Sequence, residues 1–192
     1  QATLIHGVTG SGKTEVYLDL VGRALEAGGS AIVLVPEISL TPQAIRRYGE
    51  RFGETLTVLH SQLSTGELFD QWFRIQRGES RLVVGSRSAV FAPARNLQLV
   101  VLDEEHEWSY KQADPQPRYH AREAAERLCS LTGARLVLGS PTPDVVTYHR
   151  SEMGALGRVE LHQRLAPTAD GGAEVGNLPT VQVIDMREEL RD

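Results

Sequence analysis

Short runs of aliphatic and β-branched residues alternate along the chain with longer stretches in which apolar residues recur every three to four positions. The short runs predict six strands, over residues 2–6, 31–35, 56–60, 81–85, 97–102 and 135–139. Strands that alternate with amphipathic helices are typical of a mostly parallel sheet with helices on both faces. The pattern therefore predicts an α/β fold.

Capping residues mark where several helices should begin. Thr41, followed by a proline, has the sequence of an N-cap, and Ser64 with Glu67 has the pattern of a capping box. A further helix is predicted over residues 118–131, and another is expected to begin near Pro143. The last two helices would flank the strand predicted over residues 135–139.

The pattern changes after Leu165. Residues 166–179 read APTADGGAEVGNLP, which is rich in Gly, Ala and Pro and has no periodicity, so a linker or flexible loop is predicted there. One more strand is predicted over residues 181–185. The chain starts inside a strand and stops soon after the linker, so both ends are expected to be cuts in a larger protein. We expect a globular lobe over residues 1–165 and a linker with the start of a following segment over 166–192.

Composition narrows the class of protein. The chain has 192 residues with 41% hydrophobic content, which is enough for one buried core. A net charge of −5 argues against a strongly basic nucleic-acid-binding surface, although a groove can still be locally positive. No apolar run approaches the roughly 18 residues of a membrane span, and no signal peptide is apparent, so a cytoplasmic protein without membrane contact is expected. The single cysteine, Cys129, is expected to be a small buried residue rather than a disulfide partner or zinc ligand.

Residues 7–14 read GVTGSGKT, which matches the phosphate-loop pattern G-x-x-x-x-G-K-[ST] between a predicted strand and a predicted helix. Glycines let successive backbone N–H groups face one concavity, and a helix N-terminus adds partial positive charge. The lysine would contact the β- and γ-phosphates, and the threonine hydroxyl would ligate Mg²⁺. The alternative is an ordinary Gly-rich turn. The candidate ATP-binding residues are Gly7, Val8, Thr9, Gly10, Ser11, Gly12, Lys13 and Thr14.

Carboxylates follow the most apolar predicted strand, in the stretch VVLDEEHEWSYKQ, residues 100–112. Parallel strands end at the same edge of a sheet, so Asp103 and Glu104 are expected to lie beside the phosphate loop. Asp103 is a candidate Mg²⁺ ligand, and Glu104 a candidate for orienting and deprotonating the water that attacks the γ-phosphate. The alternative is that these acids are solvated turn residues.

Five stretches occur in the order GVTGSGKTEVY, LVPEISLTPQ, VVGSRSAVFAP, VVLDEEHEWSYKQ and LVLGSPTP. Together they resemble the ordered motifs of superfamily 2 helicases of the DEAH type, and within these the primosomal DNA helicases of replication restart. The later stretch PTVQVIDMREEL resembles the segment that leads into the second motor lobe of that family. One departure lies in the third motif, where the usual S-A-T is Ser140, Pro141 and Thr142. Because proline removes a backbone donor and stiffens the turn, the coupling role of that motif is in question.

The resemblance implies a RecA-like P-loop NTPase domain, lobe 1 of a two-lobed motor that uses ATP and Mg²⁺. Lys13, Asp103 and Glu104 would keep the roles given above, and His106 would relay the nucleotide state to neighbouring motifs through hydrogen bonds. The resemblance also implies DNA-backbone contacts, a role that suits hydroxyls, arginine and helix N-termini, although the same residue types also serve as ordinary caps. The implied contact residues are Thr41, Gln43, Arg87 and Ser88.

Aromatic and basic residues follow the DEEH sequence directly. Their interleaving with polar residues and proline matches neither core period, and it resembles the aromatic-rich loop with which such helicases sense single-stranded DNA. Stacking on a base contributes roughly 1–3 kcal/mol without sequence preference. The candidate residues are Trp108, Tyr110 and Lys111; the alternative is that the aromatic side chains belong to the core.

The function implied by the resemblance is that of an ATP-dependent 3′–5′ DNA helicase acting at stalled forks. Its partners would be single-stranded and forked DNA, primosome and replication-restart proteins, and a second helicase lobe that supplies arginine fingers. A zinc-binding cysteine module is expected only outside this chain. Two alternatives remain: another superfamily 2 translocase, for branch migration or RNA, or a nucleotide-switched binding module without turnover.

Overall fold

The computed structural model describes residues 2–114, 116–167 and 173–176. It contains eleven strands within these ranges. They are β1 (Ala2–Gly7), β2 (Ser30–Leu34), β3 (Leu56–Leu59), β4 (Leu82–Gly85), β5 (Leu97–Leu102), β6 (Lys111–Gln112), β7 (Tyr119–His120), β8 (Arg135–Ser140), β9 (Gly157–Leu161), β10 (Arg164–Pro167) and β11 (Ala173–Gly176).

Seven of these strands form one sheet in the order β3-β4-β2-β5-β8-β1-β9, and every neighbouring pair in it is parallel. Strand β8 lies between β1 and β5, the strands that precede the phosphate-loop sequence and the DEEH sequence. In a parallel sheet all strands end at the same edge. The segments that follow β1, β2, β4, β5 and β8 carry the five ordered motifs and therefore meet at one edge of the sheet.

In the described part of the chain, five α-helices cover the two faces of the sheet. They are α1 (Lys13–Glu26), α2 (Pro42–Phe52), α3 (Thr65–Arg77), α4 (Ala121–Thr132) and α5 (Val145–Glu152). Helices α1 and α2 contribute to one buried apolar cluster, and α3, α4 and α5 pack on the other. Strand β5 serves both clusters, since Val100 and Leu102 belong to one and Leu99 and Val101 to the other. Burial on both faces explains why these strands read as continuous apolar runs.

The predicted α/β fold and all six predicted strands are confirmed, with ends that differ by at most one residue. Strand β9 was not predicted. Its five residues read GRVEL and most are exposed, because β9 lies at the edge of the sheet and carries charged side chains. An apolar run is the signal that reveals a buried strand, and an exposed edge strand lacks it.

The helix starts follow their capping residues. Thr41 Oγ1 accepts a hydrogen bond from the Ala44 N–H, and Ser64 and Glu67 form the reciprocal bonds of a capping box. The prediction for residues 118–131 was wrong at its start: the helix begins at Ala121, because the two residues before it pair with β6 as strand β7. The final helix begins after Asp144, which caps it.

The region predicted as an irregular linker contains a strand pair. Strands β10 and β11 are antiparallel, with Arg164 opposite Gly176. This corrects the prediction of an irregular segment for the paired residues, and the predicted boundary between residues 165 and 166 falls inside β10. The strand predicted over residues 181–185 lies outside the described residues.

Within the described ranges, no helix combines the length and the apolar character that crossing a membrane requires.

Cys129 is buried in the cluster beneath α4, and burial raises the pKa of its thiol to about 11. The thiol is therefore protonated at neutral pH, in agreement with the predicted packing role.

Candidate nucleotide site and neighbouring groove

The loop between β1 and α1 carries the predicted phosphate-binding residues. β1 ends at Gly7 and α1 begins at Lys13, so the loop is short and lies at the carboxyl edge of the sheet. Gly12 is the N-cap of α1 and has a φ of 85°, a left-handed conformation that glycine adopts readily. No described side chain caps α1, so its first N–H groups are available to an anion. The rest of the predicted set lies in this loop or in the first turn of α1: Val8, Thr9, Gly10, Ser11 and Thr14.

Lys13 and Ser11 line the inside of this loop. The Lys13 side chain is buried, and its Nζ donates a hydrogen bond to the Gly7 carbonyl oxygen at 2.8 Å. A β-carbon on Gly7 would lie 2.5 Å from Ser11 Oγ, so only glycine leaves room for that hydroxyl. Ser11 Oγ is buried and has no hydrogen-bond partner in the described part of the chain. A buried amine and an unpaired hydroxyl in a glycine-rich loop fit the oxygens of a phosphate.

Asp103 comes directly after β5 and is fixed by hydrogen bonds. Its backbone N–H donates to the Leu34 carbonyl at 2.9 Å, and its Oδ1 accepts from the Tyr17 hydroxyl and the Glu104 N–H, each at 3.0 Å. Burial raises the pKa of Asp103, while the Tyr17 hydrogen bond and the Lys13 charge act in the opposite direction. Lys13 is therefore within electrostatic reach of Asp103, so the phosphate-loop sequence and the end of β5 lie near each other. That they form one nucleotide site stays a prediction.

Glu104 has an unusual backbone conformation. Its φ is 50°, in the left-handed region that residues other than glycine rarely adopt. Residues in this conformation are often found at functional sites. Burial raises the pKa of its carboxyl group, and the neighbouring Asp103 charge raises it further. A higher pKa makes a carboxylate a better proton acceptor. Glu104 thus has the conformation and the electrostatics of a candidate general base.

His106 connects the DEEH sequence to the third motif. Its Nδ1 lies 2.7 Å from Ser140 Oγ and 3.7 Å from Glu104 Oε2. Ser140 Oγ also accepts a hydrogen bond from the Thr142 N–H at 3.0 Å, so Pro141 does not prevent contact across this turn. The hydrogen bond predicted to leave His106 for a neighbouring motif is therefore present, and its relay role stays a prediction.

Glu105 was given no role from the sequence, yet it is the most buried of the three acids. Its carboxylate accepts hydrogen bonds from Arg122 Nη1 at 2.8 Å, Thr147 Oγ1 at 3.0 Å and the Asp144 N–H at 2.7 Å. Burial acts to lower the pKa of Arg122, but the hydrogen bond and charge of Glu105 raise it above its usual range. Glu105 therefore ties the end of β5 to the starts of α4 and α5, so Glu104 remains the candidate base.

The aromatic segment divides into one exposed and one buried ring. The Trp108 side chain is 83% exposed, whereas Tyr110 is 1% exposed and belongs to the core cluster under α4. The prediction that Tyr110 stacks on DNA is wrong in this structure, because its ring packs in the core and its hydroxyl donates to the Asp103 carbonyl at 2.6 Å. The core alternative holds for Tyr110 and not for Trp108.

Arg87 holds the aromatic segment in place. Its guanidinium donates hydrogen bonds to the Ser109 and Lys111 carbonyl oxygens at 2.9 and 3.0 Å, and it lies over the Tyr119 ring at 6.0 Å. The role predicted for Arg87 as a DNA contact stays a prediction. The contacts that the structure shows for its guanidinium are with this aromatic segment and with Tyr119. An open groove of about 380 Å³ runs alongside, lined by Val35, Pro36, Glu37, Ser61, Ser86, Arg87, Ser88, Trp108, Ser109, Tyr110 and Gln112.

The other predicted nucleic-acid contacts lie at the surface. Ser88 lines the groove just described, and Lys111 is exposed on β6. Thr41 and Gln43 are exposed at the start of α2 and line a second surface depression together with Arg46 and Arg47. The groove combines residues from three of the predicted motifs, while the α2 residues line a separate depression that also contains Glu50.

Residues 1–150 match the family model described as DEAD/DEAH box helicase, which is most of the chain. The chain belongs to the DEAD/DEAH box helicase family. Membership of this family implies that the chain uses a nucleotide.

Individual proteins give the same result. The chain is 50% identical over 189 residues to "Replication restart protein PriA" of Bacillus subtilis and 46% identical over 192 residues to that of Synechocystis. Both alignments cover 98% of this chain but 22% of the relative, so the chain spans about a fifth of the length of these proteins. The resemblance to replication-restart helicases is therefore confirmed over nearly the whole chain.

Solved helicase structures share the fold. RecG bound to a three-way DNA junction matches with a TM-score of 0.59 at 22% identity, over 83% of this chain and 20% of that one. The Pyrococcus furiosus Hef helicase domain matches with a TM-score of 0.56 at 20% identity, over 83% of this chain and 35% of that one. At these identities the likeness concerns the fold alone, and it confirms the predicted RecA-like architecture.

Two supporting residues of this candidate site were missed by sequence reasoning. Tyr17 is buried on the inner face of α1, and burial, followed by the Asp103 charge, raises the pKa of its hydroxyl far above its usual range. Arg122 lies near the start of α4, a segment with no recognised motif. For Tyr17 the sequence offered one signal, because a tyrosine stands among the apolar positions of α1. For Arg122 it offered none, since nothing in the sequence connects Arg122 with Glu105.

Proposed function

We propose that the chain is the ATP-binding lobe of a longer ATP-dependent 3′–5′ DNA helicase that acts in replication restart. The observation that carries the proposal is the meeting of a glycine-rich loop containing buried Lys13 with Asp103 and Glu104 at one sheet edge. The similarity to replication-restart proteins over nearly the whole chain supports the process, and the family supports the motor.

Nucleotide binding would use the loop and the first turn of α1. The glycine loop and the uncapped N-terminus of α1 would receive the phosphates, and Lys13 would exchange its hydrogen bond with Gly7 for phosphate oxygens. Among the described residues, no group of three or more His, Cys, Asp or Glu side chains could hold a metal ion alone. Mg²⁺ in nucleotide sites is commonly held by few protein groups together with phosphates and water. Thr14 and Asp103 are a suitable pair for this purpose.

The chemistry would divide between neighbouring acids. Mg²⁺, when bound, neutralises charge that develops on the phosphates. Asp103, held by Tyr17 and by its own backbone bonds, would orient the metal shell. Glu104 would accept the proton of the attacking water, and its raised pKa favours that role. His106, hydrogen-bonded to Ser140 and 3.7 Å from Glu104 Oε2, would pass the state of Glu104 to Ser140.

The groove beside the nucleotide site would bind single-stranded DNA. Trp108 offers an exposed ring for stacking, and Ser88 and Lys111 offer donors for the backbone. Thr41 and Gln43, beside two arginines, would extend the contact along the α2 surface. Tyr110 would couple the two sites, because it lies within the same short segment as Trp108 and its hydroxyl holds the Asp103 carbonyl.

The remaining parts of the proposal concern the longer protein. We propose that residues 1–165 form motor lobe 1 and that residues 166–192 lead toward a second lobe. Forked DNA, primosome and replication-restart proteins would be its partners, any zinc would be bound outside this chain, and the protein would act in the cytoplasm.

In the full-length protein, Lys13→Ala should weaken ADP–Mg²⁺ binding by about tenfold or more, because it removes a buried charge from the phosphate site. Isothermal titration calorimetry with ADP measures the effect. Arg23→Ala, which removes an equal charge from the exposed side of the same helix, is the control and should bind normally. Unchanged affinity in Lys13→Ala would refute the phosphate-loop assignment.

Trp108→Ala should leave the melting temperature and the DNA-free ATPase rate nearly unchanged but reduce stimulation by single-stranded DNA, because the exposed ring contributes to stacking and not to the core. ATPase titrations with and without single-stranded DNA provide the measurement.

The matched aromatic control is Tyr110→Ala, which should lower the free energy of unfolding by about 3–5 kcal/mol, because it leaves a cavity in the core. Full DNA stimulation in Trp108→Ala would remove Trp108 from the proposed interface. A normal melt in Tyr110→Ala would contradict the buried position of that ring.

A further inference from the structure

The segment that follows β9 crosses the phosphate loop. Strand β9 pairs with β1, with Leu161 opposite Gly7, and the Leu161 carbonyl accepts a hydrogen bond from the Val8 N–H at 3.3 Å. Farther along, the Leu165 N–H donates to the Gly10 carbonyl at 2.8 Å. Two backbone hydrogen bonds, one at the start and one in the middle of the loop, therefore hold the segment against it.

These bonds place Arg164 at the rim of the loop. Its Cγ and Nε lie 3.3 and 3.4 Å from the position that a β-carbon on Gly10 would occupy. The adjacent Leu165 packs over Gly12 in the same way, at 3.2 Å. The aliphatic stem of Arg164 thus rests on the glycine backbone while the side chain as a whole remains exposed.

The guanidinium of Arg164 has no hydrogen bond or ion pair with any residue that the structure describes. By contrast, Arg158 on the preceding strand pairs with Glu160 at 3.1 Å, and Arg122 and Arg150 each pair with a glutamate. An arginine fixed at its stem and free at its head is prepared to bind an anion, because its planar fork matches phosphate oxygens.

The charges around the glycine loop favour a second positive group beside Lys13. Lys13 supplies a positive charge inside the loop, but Asp103 and Glu104 lie within its electrostatic reach. A nucleoside di- or triphosphate brings more negative charge than one ammonium can balance. We propose that Arg164 binds the phosphate oxygens of the nucleotide from the rim of the loop, a role that rests on the proposed nucleotide binding and adds to it a contact from outside the glycine motif.

The test separates the charge of Arg164 from its stem. Competition against a fluorescent ADP analogue, in the full-length protein with Mg²⁺, would measure the affinities for ADP, inorganic pyrophosphate and adenosine. Arg164→Met keeps the stem over Gly10 and removes the charge, and Arg164→Lys keeps a charge without the fork. Arg158→Met removes the same charge from the neighbouring strand and is the matched control.

Arg164→Met should weaken ADP and pyrophosphate binding by about tenfold and leave adenosine binding unchanged, with partial recovery in Arg164→Lys and wild-type behaviour in Arg158→Met. Normal ADP affinity in Arg164→Met would overturn the proposal and reduce Arg164 to a support for the loop. Tighter ADP binding in Arg164→Met would also overturn it, since the segment would then obstruct the site. Lys13→Ala separates a failure of the proposed nucleotide site from a failure of the Arg164 contact. If Lys13→Ala loses ADP binding and Arg164→Met does not, the nucleotide site is supported and the Arg164 contact is refuted.

Discussion

Glu104→Gln in the full-length protein should reduce steady-state ATP hydrolysis by about 10²-fold or more while leaving ATP affinity nearly unchanged. The substitution preserves the size of the side chain and removes its ability to take a proton. The nucleotide contacts of the loop lie on a different element, so binding should survive. Phosphate release at saturating ATP and single-stranded DNA measures the first effect, and calorimetry measures the second.

Asp103→Asn, compared with Glu104→Gln, separates metal binding from proton transfer. It should weaken Mg²⁺-dependent nucleotide binding as well as turnover, because Asp103 is the candidate metal ligand. A Glu104→Gln protein with near-normal turnover would refute the assignment of the base. If the wild-type protein bound ATP but released no phosphate, a nucleotide-switched binding module would replace the motor as the better description.

Glu105→Ala should lower the free energy of unfolding by about 3–5 kcal/mol, as expected when one member of a buried ion pair is removed. The change would leave the largely buried Arg122 guanidinium without its closest carboxylate and would also deprive Thr147 and the Asp144 N–H of their acceptor. Urea unfolding of the chain, followed by circular dichroism, measures the loss as a shift of the midpoint.

Glu107→Ala is the control for net charge. Glu107 lies two residues farther on, and within the described residues its side chain forms no hydrogen bond or ion pair. Its removal should change stability by less than about 0.5 kcal/mol. The double variant Glu105→Ala with Arg122→Ala should cost less than the sum of the two single changes, because the pair is coupled. A Glu105→Ala midpoint equal to that of the control would contradict the buried network.

Local sequence was sufficient to predict the fold because the strands of a parallel sheet are apolar on both faces. β5 shows this, since its six residues begin and end where the apolar run does. The positions of the glycine-rich loop and of Asp103 were also predictable, because they require only a strand, a following turn and the rule that parallel strands share an edge.

Contacts between distant segments were not predictable in the same way. Glu105 reads like its two acidic neighbours, and only the packing of α4 and α5 against the end of β5 turns it inward. Tyr110 is separated from Trp108 by one residue, yet a single turn of 3₁₀ helix directs one ring into the core and the other to solvent. Arg164 reaches the glycine loop because β9 pairs with β1, and β9 has no apolar signal.

The place of β1 in the sheet has a consequence for how the protein acquires its structure. β1 is synthesised before the other described strands, but both of its partners, β8 and β9, come from the last third of the described chain. Such long-range pairing is slow, because a long chain segment must be ordered before the contact forms. On the ribosome, β1 can find neither neighbour until β8 has emerged, whereas β2, β4 and β5 can already pair. The strand that precedes the glycine loop is therefore the last of the central strands to join the sheet, and a nascent chain stalled before residue 135 would carry the loop sequence without its supporting partners.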